Sequence, residues 1–301
     1  MTTPGGMTFN GRVRKISFAK GHGTKNDFVL VPALDGTPEL SADDIAFLAD
    51  RRGGIGGDGV IRVVPVEHAP AEMRENAGAA KWFMDYRNHD GSIAEMCGNG
   101  TRVFAHYLVE HDLVDAADFD IATRAGVKRM TTTTDGFRVD LGPWRLARAD
   151  EAGERGVDSL VRVEGVRDPL PALSLDLGNP HTVVALPPEF DLDTLDLSRP
   201  PLVDPVPEHG TNVEFVRAIA PSWIAMRVHE RGVGETQSCG TGAAAAALAT
   251  WCWAGRPAEQ LAWQVDVPGG RLGVEISAER VALSGPAEIV ATGTVELPDP
   301  R

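Results

Sequence analysis

Cys97-Gly98-Asn99-Gly100 returns 142 positions later as Cys239-Gly240-Thr241-Gly242, in a chain of 301 residues. Each copy follows a strand candidate and opens a helical stretch, Asn99–His111 in the first case and Thr241–Trp253 in the second. The separation is close to half the chain. A duplicated protein places one such strand–turn–helix unit in each half. Two matching tetrapeptides are also what generic glycine turns produce, so the repeat needs chemistry behind it.

The remaining pattern is strand-rich. Apolar or alternating stretches lie at Val13–Phe18, Phe28–Val31, Val60–Val64, Trp82–Tyr86, Phe119–Thr123, Val127–Thr133 and Phe137–Leu141. The second half adds Ala172–Leu177, Thr182–Ala185, Val213–Val216, Trp223–Val228, Trp263–Val267, Leu272–Ile276, Val281–Leu283 and Glu288–Val295. Short spacings with 33 glycines and 21 prolines predict hairpins and mostly antiparallel pairing. A third helix is expected over Ser41–Arg52, with Ser41 as N-cap and Asp43 and Asp44 in its first turn. The run Ala243–Ala247 is apolar all round, which predicts a buried helix. Gly142–Pro171 reads as a charged connection between halves, and Asp191–Gly210 as loop with room for one short helix.

Composition excludes several classes. The formal net charge of −14 disfavours nucleic acid and anionic membrane as partners. No apolar run approaches the roughly 18 residues of a membrane span. Met1–Asn10 lacks the pattern of a secretory leader. Three cysteines give no disulfide framework, which fits a reducing cytoplasm.

A free thiol is a poor base near neutrality, with an ordinary pKa of about 8.5. A helix N-terminus favours its thiolate, and flanking glycines let backbone N–H groups approach a ligand. Two such elements facing one another suit inversion of an α-carbon, which needs a base on one face and an acid on the other. N–H groups of both helix starts would meet the charge that develops on the α-carboxylate. One sulfur is then thiolate and one thiol at rest. An isolated cysteine is more often inert core, and Cys252, between Trp251 and Trp253, is read that way. Neither Cys97 nor Cys239 has a second Cys or His at ligand spacing, so no metal site is expected.

Gly54-Ile55-Gly56-Gly57-Asp58-Gly59 matches a dinucleotide fingerprint in letters but runs helix–loop–strand, the reverse of what a nucleotide needs. It reads as a turn with positive φ that can line a pocket. His22 and Asn26, the stretch Asn179-Pro180-His181, and Glu230–Glu235 sit in polar turns. His181 and Glu230 gain interest if the fold brings them to the sulfurs.

Together these stretches resemble diaminopimelate epimerases. The resemblance runs from Phe18 to about Gly293 through KGHGTKNDF, GGIGGDG, RNHDGSIAEMCGNG, GNPH, TNVEF, ERGVGETQSCGTG and PGG, in that order. It implies two pseudo-symmetric α/β domains, each a mostly antiparallel sheet wrapped around a central helix, with the site between them. The expected division is 1–142, completed by a last strand at about 287–301, and 143–286. The resemblance also implies interconversion of L,L- and meso-diaminopimelate for lysine and peptidoglycan synthesis, by a cytoplasmic homodimer without pyridoxal phosphate or metal. Cys97 and Cys239 match the family's proton-transfer pair, and His181 and Glu230 match residues that tune the sulfurs. Asn26, Asn88, Gly98, Asn99, Asn179, Asn212, Glu230, Arg231, Gly240 and Thr241 match its substrate contacts. Arg231 is suited to a bidentate carboxylate grip.

Three positions depart from the family: Gly21, the run Lys25-Asn26-Asp27, and Gly59, where many relatives carry a glutamine that contacts substrate. Rival readings are a same-fold proline racemase, whose first motif resembles Cys-Gly-His-Gly, and a non-catalytic amino-acid-binding relative. A phenazine-pathway relative would lack the cysteine pair.

Overall fold

A computed structural model describes residues 14–298 except Ala116. The leader reading of Met1–Asn10, the strand start at Val13 and the end of the 287–301 segment lie outside the described residues.

The repeat in sequence is a repeat in strand pairing. In the first half Arg14–Gly23 forms a hairpin with Asn26–Pro32, which pairs in parallel with Gly59–Pro65. Gly59–Pro65 pairs antiparallel with Trp82–Asn88, whose start pairs in parallel with Asp118–Thr123. Two hairpins then follow through Gly126–Thr133 to Gly136–Pro143. The second half repeats these steps with Leu170–Asp176, Pro180–Leu186, Asn212–Ala220, Trp223–Glu230, Ala262–Val267, Gly270–Ile276 and Arg280–Gly285. The four parallel steps fall at equivalent places in the two halves, and the remaining pairings are antiparallel. The last strand of each unit, Gly136–Pro143 and Arg280–Gly285, pairs with the other. The chain end, Glu288–Leu297, returns to pair with Arg14–Gly23.

One helix fills each half: Gly98–Glu110 lies between the fourth and fifth strands of the first, and Gly240–Trp253 takes that place in the second. Gly98–Glu110 packs on Arg14–Gly23, Asn26–Pro32, Gly136–Pro143 and Glu288–Leu297. Gly240–Trp253 packs on seven strands of its own half. Ala243 to Ala249 are wholly buried, as the apolar run predicts. Small side chains let a sheet close on all sides of a helix. The third expected helix spans Ala42–Ala49, with Ser41 and Asp44 closing a reciprocal capping box.

The connection expected at Gly142–Pro171 needs correcting. It holds strands Arg145–Leu146 and Ser159–Arg162, both paired with Leu170–Asp176, and a helix at Ala149–Arg155. The strands owe their form to that partner. The helix lacks a side-chain cap at Arg148 and contains Gly153, so its local signal is weak. Asp191–Gly210 holds a short 3-10 turn at Leu192–Thr194 and an unexpected strand, Leu202–Asp204. A short helix at Ala71–Glu75 and a strand at Gly234–Thr236 also have no counterpart in the sequence reading. No described helix is long and apolar enough to cross a membrane.

Candidate active site

Cys97 and Cys239 are the N-cap residues of the two central helices, both in extended backbone conformation. The helix starts abut. A Cβ placed on Gly98 would lie 3.9 Å from the Gly240 Cα, and one placed on Gly240 would lie 3.6 Å from the Asn99 nitrogen and 2.8 Å from Leu283 Cδ2. Glycine at these positions is what lets the two turns meet. Both cysteines line a single cavity of about 680 Å³.

On the first wall the Cys97 thiol donates to Asn26 Oδ1 at 3.5 Å, and Asn99 Nδ2 donates to the same oxygen at 3.1 Å. Asn26 Nδ2 donates to Asp58 Oδ2 at 2.6 Å, and Arg51 ties Asp58 to Asp27. The glycine loop therefore serves the cavity through Asp58, with its positive φ at Gly56. Behind Cys97 lies Arg102, wholly buried, with its guanidinium near the Gly98 and Pro286 carbonyls and the Thr24 hydroxyl. No ion-pair partner for it occurs among the described residues.

The second wall is acidic. Cys239 Sγ accepts from the Gly242 N–H at 3.3 Å and lies 3.6 Å from the Thr241 hydroxyl. Glu230 accepts from the Thr236 hydroxyl, and its carboxylate bears on the Cys239 sulfur. Glu214, fully buried, pairs with fully buried His181 at 2.7 Å. A Cβ on Gly242 would meet Glu214 Oε1 at 2.8 Å and Cys239 Sγ at 3.2 Å, which places this carboxylate immediately behind the sulfur.

Burial dominates the acidities. It pushes the Cys97 thiol up to about 11, against the N–H groups of Gly100 and Asn99 and the charge of Arg102. Burial, then the charges of Glu230 and Glu214, pushes Cys239 well above the ordinary thiol range. Glu230 and Glu214 are themselves raised, first by burial. The helix-start N–H groups act in the expected direction, but desolvation outweighs them in both thiols. The walls differ, with a cation behind Cys97 and carboxylates behind Cys239.

Asn26, Asn88, Cys97, Gly98, Asn99, Asn179, Glu230, Arg231, Cys239, Gly240 and Thr241 all line the cavity. Two expected residues do not. His181 stands behind the wall, and Asn212 is buried, its Oδ1 accepting from the Arg231 N–H at 2.9 Å. The Arg231 guanidinium donates to the His209 carbonyl at 2.7 Å. His22 lies outside the cavity, 3.9 Å from Glu288. Sequence reasoning passed over Glu214, although a lone carboxylate inside Val213-Glu214-Phe215-Val216 was its signal. Among the described residues no cluster of three or more His, Cys, Asp or Glu side chains is arranged to hold a metal ion.

The model of the diaminopimelate epimerase family matches residues 18–147 and 173–297. The chain belongs to the diaminopimelate epimerase family. The stretch that the family model leaves out, 148–172, holds the uncapped helix and the Ser159–Arg162 strand. A protein named diaminopimelate epimerase from Thermobifida fusca (strain YX) is 46% identical over 290 residues, covering 94% of this chain and 98% of that relative. Another of the same name, from Streptomyces coelicolor (strain ATCC BAA-471 / A3(2) / M145), is 45% identical, covering 93% and 95%. The fold extends beyond the family. A hydroxyproline epimerase from Agrobacterium vitis superposes with a TM-score of 0.63 at 13% identity, covering 95% of this chain and 93% of that one.

Proposed function

We propose that this chain interconverts L,L- and meso-diaminopimelate by two-base proton transfer, with Cys97 and Cys239 as the acid/base pair. The observation that carries the reading is that two abutting helix starts, each capped by a cysteine, line one cavity in a member of this family.

In the reaction one sulfur, as thiolate, takes the α-hydrogen as a proton. The C–H electron pair stays on the α-carbon and spreads onto the α-carboxylate. The opposite thiol then delivers its proton to the other face, and the reverse reaction exchanges the roles. The first N–H groups of both helices, at Gly98, Asn99, Gly240 and Thr241, serve the growing carboxylate charge, because helix starts leave such groups unpaired. A substrate ammonium beside the sulfurs lowers their pKa and offsets the desolvation that holds both up. Glu230 accepts the Cys239 proton when that sulfur must ionise, and His181 with Glu214 sets the charge behind it. Asn26, Asn88, Asn179 and Arg231 hold the two amino-acid ends, with Asn212 positioning Arg231 through its backbone N–H. No pyridoxal phosphate or metal is required.

The chain divides into 1–142 with 287–301, and 143–286, a division supported by the strand repeat and the return of Glu288–Leu297 to the first strand. We further propose a cytoplasmic homodimer in lysine and peptidoglycan synthesis, without nucleic-acid partners. Three free cysteines and the net charge of −14 support the compartment and the absence of nucleic acid.

The test is incubation with L,L-diaminopimelate in deuterated water. Meso product carrying solvent deuterium at the inverted carbon is expected. Label entering proline and not diaminopimelate would move the chain to the racemases, and label in neither would leave a binding protein.

Glu214→Gln keeps the shape and the acceptor for His181 but removes the charge. Since a nearby anion raises a thiol's pKa, Cys239 should ionise at lower pH in the variant. The limb of the kcat/KM profile set by Cys239 is therefore expected to move to lower pH. A profile that superposes on wild type would remove Glu214 from the account.

A further inference from the structure

Tyr86 lies on the strand Trp82–Asn88, two residues from Asn88, so both side chains fall on one face and both line the cavity. The residue is 8% exposed, and its ring packs edge-on against Phe28 at 5.8 Å between centroids. The hydrogen bonds it receives from Arg124 and from the Ala94 N–H both go to its backbone carbonyl. Its hydroxyl has no partner among the described residues. Left without one, it is open to the cavity and available to a ligand.

The ring holds its place because of Gly59. A Cβ at position 59 would stand 2.6 Å from Tyr86 Cε2, 3.3 Å from its hydroxyl and 2.6 Å from the Arg87 carbonyl. No larger residue fits there unless both the ring and the Arg87 backbone move. The glycine that departs from the family pattern and the cavity-facing phenol are thus one feature.

We infer that Tyr86 is a substrate-binding residue, its hydroxyl donating a hydrogen bond to a carboxylate oxygen of the bound amino acid on the Cys97 side of the cavity. Burial first, with the acidic groups Cys97, Asp58 and Glu230 around the same space, holds the phenol protonated, so it acts as a donor. A phenol donor with no acceptor among the described residues offers its hydrogen to a ligand oxygen, and a carboxylate is the strongest acceptor an amino acid carries. Asn26 and Asp58 offer the complementary acceptors for an ammonium.

This inference rests on the epimerase reading, and the experiment separates the two. Wild type and Tyr86→Phe are compared for kcat and KM with L,L-diaminopimelate, together with their melting temperatures. Loss of one hydrogen bond to a charged group is expected to raise KM about tenfold or more, with kcat changed far less. The melting temperature should hold, because the hydroxyl makes no bond to the described residues that the variant would lose. A folded Tyr86→Phe with wild-type KM overturns the inference and leaves the reaction untouched. A wild type that does not epimerise diaminopimelate overturns the reading beneath it.

Discussion

Cys97→Ala and Cys239→Ala should each lose inversion of diaminopimelate by about 10³-fold or more, in both directions. Inversion uses both sulfurs in every turnover, one as base and one as acid, so neither variant keeps a direction in which it works. The loss should not come from unfolding. Both residues are N-caps whose backbone conformation alanine also adopts, and Cys97 makes no side-chain cap bond to its helix. Serine is not a rescue, since a hydroxyl is far less acidic than a thiol. A one-sulfur variant still has a base on one face. In deuterated water it should exchange the α-hydrogen of the stereoisomer that presents this hydrogen to the surviving sulfur, without inverting it. Exchange and inversion are read separately by mass spectrometry and chiral chromatography. If either alanine variant keeps a tenth of the wild-type inversion rate, the two-sulfur mechanism is wrong.

That expectation follows from residues that could be read in order along the chain. A cysteine before a glycine pair and an alanine-rich or amphipathic run says where a helix begins, because the cap, the turn and the helix are all local. The hairpin strands were legible for the same reason. Ser159–Arg162 and Leu202–Asp204 were not, since Leu202–Asp204 pairs with Ser159–Arg162, which pairs in turn with Leu170–Asp176, and both are short strands set in stretches rich in charge and proline. The site divides in the same way. Residues on the helix starts could be named from the motif. Glu214 and Tyr86 sit in ordinary strands, and only the approach of Gly242 to one and Gly59 to the other shows what they face. Helix-start N–H groups are visible in sequence, whereas the desolvation that raises both thiols depends on everything packed around the cavity.

The second large effect is structural and concerns Gly269, in the turn Pro268-Gly269-Gly270. A Cβ there would stand 1.9 Å from the Thr24 carbonyl oxygen and 3.0 Å from the Gln237 carbonyl oxygen. Both neighbours are backbone and cannot rotate away. Thr24 is fixed in turn: it is buried at φ +50, and its hydroxyl meets Ser238 Oγ at 2.7 Å. Asn99 Nδ2 donates to the Ser238 carbonyl at 3.0 Å, and Gly269 N–H donates to Gln237 at 2.8 Å. The turn therefore clamps the first-half hairpin onto the residues leading into Cys239, and the seam that brings the two sulfurs to one cavity passes through it. Gly269→Ala must open that seam. It is expected to cost about 3 kcal/mol or more, as overpacking against rigid backbone does, and to lower kcat/KM in whatever fraction stays folded. Gly153→Ala is the matched control. Gly153 lies in the helix Ala149–Arg155, is exposed, and its Cβ would meet nothing within 4 Å. The same added methyl should stabilise there by roughly 0.5–1 kcal/mol, through helix propensity alone. Paired thermal melts read the opposite signs, and a Gly269→Ala protein that melts with wild type would mean the two halves are not joined through this turn.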